Sequence, residues 1–256
     1  KKKFQDKKTK ILNNFDSIKL KKKSDITICA IPGIAGLKPT IIFTNLSKKI
    51  LLANKESIIC GWDLIKNIAN KSKTTIVPID SEHYSISNLI KNHRSIEINK
   101  IYLTASGGPF LNYNYDKLKE VKPYEALRHP KWKMGKKISI DSSTLMNKIL
   151  ELIEAQKLFQ LNIKKFEILI HPESLVHAIV DFKNGLKKFV YHETSMIIPI
   201  ANAIYDGKLD IQKFRNAKKK NEIENLIFQK VNKKIFPVIK LKNRLDEHPS
   251  TSIIIN

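Results

Sequence analysis

The sequence predicts an α/β fold, with a parallel, doubly wound sheet first and an α+β part with antiparallel strands after it. Three observations carry this. Apolar runs of strand length alternate with segments of helical period between residues 26 and 78. A second group of apolar runs falls between residues 166 and 192 without long helical segments between them. The chain has only eight glycines, and Gly33, Gly36, Gly61, Gly107, Gly108 and Gly135 lie in or beside the junctions of these elements.

The elements follow in order. Residues 1–24 are charged and read as a helix or a loose lead-in. "ITICAI" (26–31) reads as a buried strand, "PGIAG" as its turn and "LKPTIIFTNLSKK" as a helix. "ILLAN" is a second strand, "SIICGWDLIKNIANK" a helix with apolar positions near helical spacing, and "TTIVPID" a third strand. "KIYLTA" is a further strand that ends in "SGGPF". "YEALRHPKWKMGKK" has no periodicity and reads as a loop with large exposed side chains. "DSSTLMNKILELIEAQKLF" reads as one helix with Asp, Ser and Thr at its N-terminus, where capping favours them. "FEILI", "SLVHAIVDF" and "LKKFVYH" read as a run of antiparallel strands, and the chain beyond 195 as helical or irregular.

Composition narrows the class. With 256 residues and 42% hydrophobic content, the chain can bury a sizeable core. No apolar run reaches the roughly 18 residues of a membrane span, and no signal-peptide core is seen, so no membrane partner is expected. Two cysteines, Cys29 and Cys60, without metal spacing suggest a reducing compartment and no disulfide framework. The net charge of +23 has two readings, a nucleic-acid face or the Lys, Asn and Ile bias of an A+T-rich genome. The lysines are dispersed and not interleaved with aromatics, which favours solvated surface and no nucleic-acid partner.

Three places offer chemistry. In "PIDSEH", Asp80 and Glu82 stand two apart, so in extended chain they face one way and suit a hard divalent cation. The same stretch also reads as a polar strand-to-helix turn capped by Asp80 or Ser81. In "DSSTLMNKILELIEA", Asn147 and Glu151 are four apart and Lys148 and Glu151 three apart, on one face of a helix whose first turns favour a phosphate. That face also reads as a solvated Lys–Glu pair. The third place is the loop from Ser106 to Gly135, where His129, Trp132 and Met134 suit a lid over a substrate, or a surface loop packed by its own Trp.

Taken in order, "AGLKPT", "LLANKES", "PIDSEH", "TASGGPF", "RHPKWKMGKKISIDSSTLMNK" and "IHPESLVH" resemble the successive motifs of 1-deoxy-D-xylulose-5-phosphate reductoisomerases. The resemblance covers about residues 25–205 and continues faintly through "IFPVIKL". It implies a remnant of a doubly wound, Rossmann-like NADPH domain (1–78), an α+β catalytic, metal-binding and dimerisation domain (79–205), and the start of a helical domain (206–256). It implies conversion of 1-deoxy-D-xylulose 5-phosphate to 2-C-methyl-D-erythritol 4-phosphate in non-mevalonate isoprenoid synthesis, with NADPH and Mg²⁺ or Mn²⁺ (Co²⁺ a further option).

By that resemblance Asp80, Glu82 and Glu151 hold the metal. Lys55, Ser81, Glu82 and Glu151 meet the substrate, with Lys55, Glu82 and Glu151 catalytic. Ser106, Ser142, Asn147 and Lys148 hold the phosphate, His129 closes from the lid, and Trp132 and Met134 cover the site. Asn54, Glu56 and Gly135 touch NADPH. A homodimer is implied, in the bacterial cytoplasm or, for a eukaryote, a plastid-type organelle.

The glycine-rich fingerprint that opens the family is not seen, and "HPSTSIIIN" resembles the entry into a last helical domain. The expectation is therefore a fragment that turns over poorly, with a non-catalytic remnant and a basic nucleic-acid-binding protein as the alternatives. The family usually has glycine where this chain has Ile149, whose side chain is expected either to crowd the site or to point away.

Overall fold

A computed structural model describes residues 20–131, 135–214, 225–245 and 250–256, together with 9, 11, 12, 14, 15, 18 and 248. The chain order is β1 (Ser24–Cys29), α1 (Leu37–Leu46), β2 (Ser47–Leu52), α2 (Lys55–Ser72), β3 (Thr75–Pro78), α3 (Ser81–Ile90) and β4 (Ile98–Ala105). There follow α4 (Tyr115–Lys119), α5 (Pro123–Ala126), α6 (Lys136–Ser143), α7 (Met146–Phe159), β5 (Phe166–Ile170), β6 (Val176–Phe182) and β7 (Lys187–Tyr191). The last elements are α8 (Ile197–Tyr205), β8 (Gln229–Lys230) and α9 (Thr251–Ile255). No helix among the described residues is long and apolar enough to cross a membrane.

The first sheet is parallel, in the order β1-β2-β3. Strand alternation sends Ile50 and Leu52 to one face, where they pack with Cys29 and Ile58 against Phe43 and Trp62 of α1 and α2. Leu51 points to the other face, which α8 covers with Ile200, Ala203 and Ile204. Helices therefore lie on both faces, as the alternation of elements predicts.

The loop from β1 to α1 is held by Asn54, whose amide donates to the carbonyls of Ile31 at 2.6 Å and Gly33 at 2.9 Å. A Cβ at Gly36 would stand 2.4 Å from the Ile31 carbonyl oxygen, so only glycine admits this close approach. The Asn54 side chain also accepts from the Ser57 amide at 2.7 Å and so caps α2.

The second sheet is mixed, in the order β7-β6-β4-β5-β8. The later strands are not the antiparallel run expected from their sequence. β5 does not pair with β6; it lies parallel to β4, which separates the two, while β6 is antiparallel to both β4 and β7. An apolar run records that a strand is buried, not which neighbour it takes. The main core lies between this sheet and α7, where Ile149, Leu150, Leu152 and Ile153 meet Ile101, Leu103, Phe166 and Val180.

Two further expectations change. The single helix expected over "DSSTLMNKILELIEAQKLF" is two. Asp141, Ser142 and Ser143 close α6, and α7 begins after Leu145, which holds a left-handed φ of 63°. The segment "YEALRHPKWKMGKK", expected to be a loop, begins inside α5 and includes the first residues of α6. Ile149, one of the two expected outcomes, points away from the site and is fully buried in the core.

Candidate active site

The carboxyl ends of β2, β3 and β4 and the first turns of α7 converge on a cavity of about 280 Å³. This is where open α/β sheets bind ligands. Lys55, Asp80, Ser81, Glu82, Ser106 and His129 line it from the strand ends and the loop beyond β4. Ser142, Asn147, Lys148 and Glu151 line it from α6 and α7.

Carboxylate oxygens of Asp80, Glu82 and Glu151 all lie within 4.8 Å of one another. The extended-chain argument that paired Asp80 with Glu82 does not describe how they meet. Asp80 is the N-cap residue of α3 and Glu82 lies in its first turn, so a helix start aims both carboxylates. Asp80 occupies the cap position without a side-chain capping bond, which leaves its carboxylate to the cavity.

Two ammonium groups answer these charges. Lys55 Nζ lies 3.4 Å from Asp80 Oδ2 and 3.4 Å from Glu151 Oε1, and donates to Asn147 Oδ1 at 2.8 Å. Lys148 Nζ donates to Glu151 Oε2 at 2.6 Å and to Glu82 Oε1. Asn147 donates to Glu151 Oε1 and Ser81 Oγ to Glu82 Oε2, the latter at 2.7 Å. The Lys148–Glu151 pair read as a solvated face is buried, with side chains 9% and 2% exposed.

Burial opposes the charge on every member, and the neighbours decide the outcome. Burial would lower Lys55, but Asp80 and Glu151 outweigh it and raise it above the ordinary lysine range. Lys148 is raised in the same way by Glu151 and Glu82. Glu82 resists burial through Lys148 and falls below the ordinary carboxylate range. Glu151 is pushed up to about 7, by burial first and by the charge of Glu82 second.

On the lid side, Lys131 N donates to His129 Nδ1 at 3.2 Å. His129 Nε2 therefore carries the proton and faces Ser106 Oγ at 3.1 Å. Burial, then the positive charge of Lys148, lowers the His129 pKa. Gly108 packs on α6 so closely that a Cβ would come within 2.8 Å of the Ser142 carbonyl oxygen. Trp132 and Met134, which the resemblance places over the site, lie outside the described residues. Gly135 is the N-cap residue of α6, and Lys137 Nζ, two residues on, lies 3.6 Å from Glu56 Oε1. Glu56 thus faces the first turn of α6, while Asn54 is turned to the 31–33 turn and the start of α2, and neither they nor Gly135 line the cavity.

Sequence reasoning passed over His83, Glu154 and His177. His177 lines the cavity with Thr104 and Ser174. Asp80, His83 and Glu154 form a second close cluster directly behind the first. The signal was present: His83 ends the quoted "PIDSEH", and Glu154 stands three residues after Glu151 on the same helix.

Fold and site together define an α/β protein with a buried, lysine-balanced carboxylate centre fitted to a hard cation and an anionic ligand. Two family models match the chain. The model for 1-deoxy-D-xylulose 5-phosphate reductoisomerase matches residues 1–61, and that for the C-terminal domain of the same enzyme matches residues 76–159. The chain is 50% identical over 247 residues to the 1-deoxy-D-xylulose 5-phosphate reductoisomerase of Pelagibacter ubique, covering 95% of this chain and 63% of that protein. It is 44% identical to that of Wolbachia sp. subsp. Drosophila simulans, over 91% of this chain and 60% of that protein.

Among solved structures, a DOX-P reductoisomerase in complex with NADPH, fosmidomycin and magnesium matches with a TM-score of 0.80 at 36% identity, over 91% of this chain and 59% of that one. The Zymomonas mobilis enzyme in complex with NADPH matches with a TM-score of 0.76 at 34% identity, over 90% of this chain and 59% of that one. The chain belongs to the 1-deoxy-D-xylulose 5-phosphate reductoisomerase family. It spans about three-fifths of the length of the curated relatives it matches.

Proposed function

We propose that the protein acts as its relatives are named: an NADPH- and divalent-metal-dependent oxidoreductase that rearranges and reduces 1-deoxy-D-xylulose 5-phosphate to 2-C-methyl-D-erythritol 4-phosphate. The observation that carries the reading is the meeting of Asp80, Glu82 and Glu151 oxygens within 4.8 Å in a cavity lined by Lys55, Asn147 and Lys148. An all-oxygen, anionic donor set fits Mg²⁺ or Mn²⁺. Bound there, the ion would polarise the substrate's carbonyl and hydroxyl oxygens; NADPH would supply the hydride.

The chain's own residues do the rest. Lys55 donates to substrate oxygens beside the carboxylates. Ser106, Ser142, Asn147 and Lys148 hold the phosphate, and His129 adds its Nε2–H. Ser81 meets the carbon backbone of the substrate. Asn54, whose amide is committed to the α2 cap and the 31–33 turn, serves the cofactor by shaping that turn; Glu56 and Gly135 meet the cofactor, as the family resemblance implies. Trp132 and Met134 keep the covering role that the family resemblance gives them.

The division at residues 78 and 205 is part of the same proposal, supported by the end of the first sheet at Pro78 and of α8 at Tyr205. So is a homodimer formed through β6 and β7. β7 is an edge strand among the described residues, with Leu186, Phe189 and Tyr191 exposed in so lysine-rich a chain.

The test is ligand binding by the 256-residue chain. Fosmidomycin should bind in the presence of Mg²⁺, bind much more weakly in its absence, and be lost in Lys148→Ala. Metal-independent binding, or binding indifferent to Lys148, would overturn the reading.

A further inference from the structure

We infer that Glu154, acting through His83, is a positioning residue for the carboxylate centre. The inference rests on the cation-binding reading above and adds a residue to it. His83 is fully buried on α3, and Glu154 is 1% exposed on α7. His83 Nε2 faces the main-chain carbonyl of Glu151 at 2.8 Å. A carbonyl only accepts, so Nε2 carries the proton and the tautomer is fixed. His83 Nδ1 then faces Glu154 Oε2 at 3.4 Å and Asp80 Oδ2 at 3.9 Å.

Among the described residues, neither His83 Nδ1 nor Glu154 Oε2 has a conventional hydrogen-bond partner. Buried polar atoms without partners are costly, so two that face each other at 3.4 Å have a reason to stay. One proton shared between them satisfies both. The imidazole plane is then fixed at each end, by Glu154 on one side and the Glu151 carbonyl on the other. Through that plane the start of α3, which aims Asp80 and Glu82, is tied to the turn of α7 that aims Glu151. Groups outside a metal's ligand set commonly orient the ligands by hydrogen bonding, and their loss typically weakens metal binding 10- to 100-fold.

The alternative use of the same atoms is as ligands themselves, since Asp80, His83 and Glu154 also lie within 4.8 Å of one another. The positioning reading is favoured because the Nε2 bond aims the imidazole at the ligand backbone and because Lys55 already stands against Asp80. The two uses differ in stoichiometry.

The experiment is Mn²⁺ titration of the wild-type chain, Glu154→Leu and Glu154→Gln, by calorimetry and by the EPR signal of free Mn²⁺, with the metal-free melting temperature measured in parallel. Leucine removes the hydrogen-bonding group but not the volume, and it leaves His83 Nδ1 buried opposite an apolar side chain, which costs stability. Glu154→Leu should therefore melt lower than wild type and also bind Mn²⁺ about 10-fold more weakly. Glu154→Gln, whose amide can still donate to Nδ1, should stay within about threefold of wild type. A packing role alone would move melting and not affinity.

One equivalent of Mn²⁺ is expected in all three proteins. Equal affinity in Glu154→Leu and wild type would overturn the inference while leaving the metal site standing. Two equivalents in wild type falling to one in the variants would overturn it in favour of a second cation site. No Mn²⁺ binding by wild type would overturn the cation reading itself, and this inference with it.

Discussion

Lys55 Nζ donates to Asn147 Oδ1 at 2.8 Å, joining the first residue of α2 to the first turn of α7 across 92 positions of sequence. The ammonium is 7% exposed and also stands 3.4 Å from both Asp80 and Glu151. With Lys148, it supplies the counter-charge that lets Glu151 stay buried beside Asp80 and Glu82. Replacing it with Lys55→Met keeps the volume and strands the negative charge. We expect the metal-free fold to lose about 3–5 kcal/mol, the usual cost of removing one partner of a buried pair. Saturating Mn²⁺ should restore most of it. Urea denaturation with and without the ion checks both halves.

The buried histidines give a prediction with a definite sign. Burial holds His177 down to about 3, below its unfolded value near 6.5. Between those values the unfolded chain binds the proton and the folded chain does not, so His177 costs stability as pH falls below about 6.5. Glu151 and Glu154, both pushed up to about 7 chiefly by burial, act the other way. Their folded forms bind protons first, and the stability this adds is full below about 4.5 and lost as pH rises through 7. The whole-protein profile mixes the two, so the informative quantity is the difference between variants. His177→Gln should gain on wild type by about 1.4 kcal/mol per pH unit below 6.5. Denaturation at pH 7.5 and pH 5 measures it; a constant difference would refute the assignment.

The exposed edge at β7 predicts association. Sedimentation velocity should give a dimer for wild type and a monomer for Phe189→Glu, with unchanged far-UV circular dichroism. A monomeric wild type would remove β7 as an interface.

Much of this was legible in the sequence because local chemistry leaves local marks. Strand and helix alternation named β1 through β3 and their helices, and spacing on α7 put Asn147, Lys148 and Glu151 on one face. Asp80 and Glu82 were found by a geometry the structure does not use, since they sit on a helix start and not on an extended chain. The break at Leu145 was hidden because serines that look like a cap for α7 instead end α6, and a leucine takes the left-handed turn where glycine is usual. Strand order was hidden because burial does not name a neighbour. His83 and Glu154 were hidden for a similar reason: each looks ordinary until folding sets one against the other.

The central claim is that Asp80, Glu82 and Glu151 together hold one divalent cation. Calorimetric titration of the chain with Mn²⁺ at pH 8, where the Glu151 carboxyl is mostly ionised, tests it most directly. Wild type should bind one equivalent, and Glu151→Gln should bind at least about 10-fold more weakly while melting within a few degrees of wild type. Equal affinity in the two proteins would contradict the assignment.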